Sequence, residues 1–129
     1  IRDTPFLYAG AEGRNEILRA ILATGRADLA STNRYGGTAL IPAAHHGHPE
    51  TVRILLATKI DVDHVNRLGW TALMEAVVLG DGGPVYQEIV GDLVSAGARD
   101  IPDNDGVSAL EHARRRGYTE IAELIASAG

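Results

Sequence analysis

Four of the five histidines in this 129-residue chain, His45, His46, His48 and His64, fall in one stretch, with Asp61, Asp63, Glu75 and Asp81 close by in sequence. Such a set suggests two chemistries. A metal site needs three or four ligands converging on one point. Adjacent His45 and His46 leave a helix about 100° apart, and the spacing matches no zinc pattern, so no metal site is expected. For acid–base catalysis, Glu75 or Asp81 would act as base, with His45 or His46 as acid partner across a groove between neighbouring units. Nothing in the sequence supplies a nucleophile or an oxyanion site, so the chain does not read as an enzyme and no cofactor is expected. Gly80-Asp81-Gly82-Gly83 is glycine-rich but runs into Pro84 and lacks the Lys and Ser/Thr of a phosphate-binding loop, so it reads as a turn.

The elements that would position these residues are written as a repeat. Asn33-Arg34-Tyr35-Gly36-Gly37-Thr38-Ala39-Leu40 recurs as Asn66-Arg67-Leu68-Gly69-Trp70-Thr71-Ala72-Leu73 and as Asp103-Asn104-Asp105-Gly106-Val107-Ser108-Ala109-Leu110, and Thr4-Pro5-Phe6 is a truncated opener of the same kind. Thr4 to Thr38 is 34 residues, Thr38 to Thr71 is 33 and Thr71 to Ser108 is 37, which describes an array of one supersecondary unit. The units run over about 1–33, 34–66, 67–103 and 104–129 of a single domain.

Each unit reads as turn, helix, turn, helix. In the second, Asn33 to Gly36 is a turn, Thr38 offers a helix-capping hydroxyl, and Ala39 to His46 forms a short helix ended by Gly47. Glu50 to Thr58 then places Val52, Leu55 and Leu56 at helical spacing, and Ile60-Asp61-Val62 leads out extended. The third unit pairs Ala72 to Leu79 with a helix through Glu88, Ile89, Val90, Leu93 and Val94, and the fourth pairs Ala109 to Arg116 with Thr119 to Ser127. Ser108 and Glu111 read as a reciprocal capping box, and Pro42, near its helix start, as tolerated. Gly47 to Glu50 spans three positions whereas Gly80 to Glu88 spans eight. The five extra residues, near 81–87, are expected to lengthen the turn between the two helices, either as a functional loop or as a neutral one.

Composition narrows the rest. A 45% hydrophobic content suits one domain with a core shared between neighbouring units. A net charge of -5 disfavours broad attraction to nucleic acid. No apolar run is long enough to span a membrane, and nothing at Ile1 resembles a leader. The chain opens inside a repeat, so the expectation is a truncated N-terminus, with cytoplasm and periplasm both open as compartments; without cysteine, the redox environment leaves no mark.

The pattern Gly36-x-Thr38-Ala39-Leu40-x-x-Ala43-Ala44-x-x-Gly47-His48-x-Glu50-x-Val52-x-x-Leu55-Leu56 resembles the ankyrin repeat nearly position by position, and the resemblance covers the chain. Tetratricopeptide repeats share the period but lack the glycine turn before a capped short helix. The stretches Arg34 to Ala44 and Gly69 to Gly83 further resemble small stand-alone bacterial ankyrin proteins. The resemblance implies an all-α solenoid of four helix-turn-helix units with short β-hairpin-like turns, and it makes His48 structural. The usual histidine after Thr-Pro-Leu is absent throughout, with Leu7, Ile41, Met74 and Glu111 in its place.

The resemblance also implies a non-catalytic module that binds another protein through the concave groove and the turn fingers. The groove stripe holds Tyr8, Ala11 and Glu12; Pro42, His45 and His46; Glu75, Val78 and Leu79; and His112, Arg115 and Arg116. The fingers hold Arg34, Tyr35, Arg67, Leu68, Trp70 and Asp105. Trp70, the single tryptophan, is the first anchor candidate, with packing across the fingers as its other reading. Arg115 and Arg116 suit an acidic segment or simply a solvated helix end. An alternative is metabolite binding in a pocket formed by Trp70, Glu75, the histidines and the 81–87 loop. Weak self-association through an exposed Phe6 or Leu7 is a further expectation.

Overall fold

Short helices start where a hydroxyl residue precedes an apolar run. Thr4, Thr71 and Ser108 each accept a bond from the N–H three residues on, at 3.1, 3.2 and 3.0 Å. In the computed structural model, which describes residues 4–128, these starts give α1 (Pro5–Glu12), α5 (Ala72–Leu79) and α7 (Ala109–Arg115). The partner helices are α2 (Asn15–Ala23), α4 (Pro49–Leu56), α6 (Pro84–Ser95) and α8 (Thr119–Ala128), and α3 (Leu40–His45) opens the second unit. The reading at Ile1 lies outside the described residues. Among those residues no strand occurs and no helix is long and apolar enough to cross a membrane.

The helices stack as two rows, α1–α3–α5–α7 inside and α2–α4–α6–α8 outside. Leu18, Leu40, Leu55, Leu73, Met74, Ile89, Leu93 and Ile121 fill the space between the rows, fully buried. Phe6 and Leu7 are buried too, at 4% and 3% exposure, because α1 packs on both α2 and α3, so they offer no self-association surface. On the outer row, Arg19 pairs with Glu50 at 2.7 Å and Arg53 pairs with Glu88 and Asp92. These exposed pairs contribute little each.

The turns are fixed by one side chain apiece. Asn33, Asn66 and Asp103 each accept from the N–H groups two and four residues on, at 2.9–3.1 Å. Gly36, Gly69 and Gly106 take positive φ to close the hairpin. Successive turns are then bonded together, Arg67 N–H to the Tyr35 carbonyl at 3.0 Å and the Asn104 amide to the Leu68 carbonyl at 3.2 Å.

Three sequence expectations fail locally. Thr38 makes no cap, and its buried hydroxyl finds no partner among the described residues. In the other three units the residue four past the cap donates to the cap carbonyl, at 2.9–3.0 Å. Here that residue is Pro42, which has no N–H. The Ile41 N–H takes the vacant Thr38 carbonyl at 3.2 Å instead, and α3 starts one residue late. Thr38→Val is therefore expected to leave the melting temperature unchanged or raise it, whereas Thr71→Val should cost about 1 kcal/mol; equal losses in calorimetry would contradict this. The capping box at Ser108 is half made, since the Glu111 carboxylate pairs with Arg115 at 2.7 Å. Asp100 instead satisfies the next two donors of the helix start, accepting from Ala109 and Leu110 N–H at 2.7 and 3.0 Å.

The third failure is the insertion, which lengthens a helix more than a turn. α6 has 12 residues against 8 in α4 because Pro84, at the first helical position, starts it early. Asp81-Gly82-Gly83 makes the turn, with Asp81 accepting from Gly83 N–H at 2.8 Å. The added helical turn carries Tyr86, whose hydroxyl donates to the His45 carbonyl at 2.8 Å, so the insertion ties the third unit back to the second.

Candidate functional site

Because first-helix positions four apart share a face, the inner row and the turns enclose one concave groove. Its central cavity of about 500 Å³ is bounded by Ala11 and Glu12 of α1, Ile41, Pro42 and His45 of α3 with His46 just past its end, Glu75 and Leu79 of α5, and Asn33, Arg34, Tyr35, Asn66 and Leu68 of the turns. A smaller depression of about 290 Å³ between α7 and α8 gathers no comparable polar set.

The rim is apolar and exposed. Tyr35 and Leu68 are each 56% exposed and Leu79 42%. The Arg34 guanidinium lies over the Tyr35 ring, 5.1 Å from its centroid, which holds the aromatic face at the groove mouth.

The floor is polar. Glu75 is 5% exposed, and one carboxylate oxygen accepts from the Asn66 amide at 2.6 Å. The other lies 3.5 Å from His45 Nδ1. Burial pushes the Glu75 carboxyl up to about 7, against the opposing pull of the Asn66 bond. Burial, and then the neighbouring His46, hold His45 below the usual histidine value. The two imidazoles do not diverge as backbone geometry alone suggests: side-chain rotation stacks them 4.4 Å apart, 16° from parallel.

The groove thus brings together Arg34, Tyr35, His45, His46, Leu68, Glu75 and Leu79. The other predicted positions do not line this cavity. Arg67 bonds the Arg34 carbonyl at 2.8 Å and lies against Gly36, joining two turns. Trp70 is half-buried and packs against the core, its structural reading. Asp105 sits on the distal turn, its N–H bonded to Asp103. Arg115 pairs with Glu111, and Arg116 with the His112 ring and carbonyl.

Of the acid–base and metal candidates, Glu75 meets His45 as described, and the others separate. Asp81 is held in its turn, His64 contacts the Gly36 carbonyl at 2.8 Å, and Asp63 accepts from Arg99. The His48 ring lies over Gly13. Among the described residues no three ligands gather in a group able to hold a metal. No residue of 81–87 lines either of these two cavities, so neither supports a metabolite pocket beside that loop. The residue that sequence reasoning passed over is Asn66, which was legible only as a turn opener.

The described geometry is shared with known proteins. A family profile for ankyrin repeats (3 copies) matches residues 6–105. The putative ankyrin repeat protein YahD of Escherichia coli is 44% identical over 127 residues, covering 97% of this chain and 63% of YahD. A crystal structure of an ankyrin repeat domain from Acinetobacter baumannii superposes with a TM-score of 0.96 at 59% identity, over 98% of this chain and 65% of that one. The ankyrin repeat protein EF0377 superposes at 0.93 and 49% identity, over 98% and 64%. The chain thus spans less than two thirds of the length of these relatives. Such repeats are in general non-catalytic protein-interaction modules. From the profile match and from four stacked hairpins with their glycine-closed turns, this chain belongs to the ankyrin repeat family.

Proposed function

We propose that this domain binds a segment of another protein in its concave groove, without chemistry. The observation that carries this reading is the exposed apolar rim of Tyr35, Leu68 and Leu79 around one cavity, since large side chains left in water and grouped on a concave face signal a binding surface. The acid–base pair on the floor, Glu75 and His45, has no nucleophile or oxyanion-holding group beside it.

Tyr35→Ala/Leu68→Ala removes the rim without touching the core. A partner captured from extract of the source organism by the wild type is expected to bind this variant at least about thirty-fold more weakly in calorimetric titration, the loss of two interface anchors. The variant should melt within about 2 °C of the wild type, because both side chains are more than half exposed. Undiminished affinity in a folded variant would place the partner elsewhere.

A further inference from the structure

The same register position is completed in one unit and left open in the next. In the fourth unit, Asp103 of the turn meets His112 of α7 at 2.9 Å, a pair that can balance its own charge. The equivalent residues of the third unit are Asn66 and Glu75, at 2.6 Å. Asn66 is neutral, so its hydrogen bond leaves the carboxylate charge uncompensated. The nearest ring, His45, lies 3.5 Å away, and burial and then His46 hold its pKa below the usual histidine value, which disfavours a charge there. The other charged groups of the groove do not reach this carboxylate: Glu12 and Arg34 are exposed, and the Arg34 guanidinium lies on Tyr35.

Resting on the groove-binding reading, we infer that Glu75 receives a basic side chain of the bound partner segment, an ammonium on an apolar stem, which supplies the charge that His112 supplies to Asp103. The stem would run down past Leu68 and Leu79, which line the cavity above this floor. A buried carboxylate that lines the cavity, with one oxygen free of the Asn66 bond, gains most from such a partner, because a charge-assisted bond out of water is roughly twice as strong as a neutral one. The chain's net charge of -5 favours the encounter.

The test is a random-decapeptide display selection against four folded proteins: wild type, Glu75→Gln, Glu120→Gln and Tyr35→Ala/Leu68→Ala. Glu75→Gln keeps an acceptor for Asn66 while removing the charge, and Glu120→Gln removes one charge from the exposed surface of α8, away from the groove. Wild type and Glu120→Gln are expected to enrich peptides with Lys or Arg at one fixed position flanked by apolar residues, and Glu75→Gln to lose that preference. Exchanging the fixed Lys for norleucine in a synthetic peptide should weaken binding about ten-fold to wild type and less than two-fold to Glu75→Gln. If wild type enriches groove-binding peptides without a fixed basic residue, or if the norleucine exchange costs the same in both proteins, the Glu75 assignment is overturned and the groove stands. If wild type enriches nothing, or its peptides still bind Tyr35→Ala/Leu68→Ala equally well, the groove reading itself fails and the assignment with it.

Discussion

Gly80→Ala is expected to destabilise the domain by about 3 kcal/mol, lowering its melting temperature by roughly 10 °C. Gly80 has an ordinary φ of -82°, so the effect is one of space and not of backbone strain. A Cβ there would stand 2.4 Å from the Ala76 carbonyl oxygen and 2.5 Å from the Tyr86 ring. Both are anchored: the first is helix backbone, and the second is held by its hydroxyl on the His45 carbonyl. Losing that hydroxyl alone, in Tyr86→Phe, should cost about 1 kcal/mol. Gly91→Ala, in the middle of α6, should do the opposite and stabilise by about 0.5–1 kcal/mol, since only Leu124 comes within 4.0 Å of the new methyl and alanine is the better helix former. Calorimetry of the three variants decides the matter; a Gly80→Ala melt within 2 °C of wild type would mean that the inserted turn does not lock the second unit to the third.

That lock shows where sequence reasoning stops. The repeat was legible because its punctuation is local: Asn33, Asn66 and Asp103 open turns by bonding their own backbone, and glycine closes them. The two rows of helices follow from the apolar spacing. The fate of residues 81–87 was not legible, because whether Pro84 starts a helix or sits in a loop depends on Tyr86 finding Gly80 and the His45 carbonyl, forty-one positions away. The failed cap at Thr38 lay nearer the surface of the sequence, since Pro42 stands where the cap carbonyl needs an N–H. Among the site residues, exposure at turn and groove positions gave Tyr35, Leu68 and Leu79. For Trp70 the finger position alone says nothing of the direction its ring takes, and the half-buried ring packs against the core. Asn66 was passed over because one residue does two jobs, with its carbonyl oxygen holding the turn and its amide reaching Glu75.

Glu75→Gln is expected to stabilise the domain at pH 8 by at most about 3 kcal/mol while leaving stability at pH 5 nearly unchanged. The carboxyl is raised from 4.5 to about 7 in the folded chain, with burial as the cause. Between those values the folded state holds a proton that the unfolded state has released, so stability falls as pH rises through this window and the full penalty is present above about 7. A rise from 4.5 to about 7 corresponds to about 3 kcal/mol. Glutamine carries no charge at any pH and still offers an oxygen to the Asn66 amide. His45 acts in the opposite sense: its value is lowered on folding, so its contribution is present above the unfolded value and is lost as pH falls. The difference between the urea-unfolding free energies of the two proteins at pH 5, 6, 7 and 8 reads Glu75 together with its coupling to His45, 3.5 Å away. A difference that does not grow with pH would show that the carboxylate is already balanced within the fold. A difference that grows as expected identifies an uncompensated charge at the floor of the groove, the condition under which a groove gives up stability in the free protein for selectivity toward what it binds.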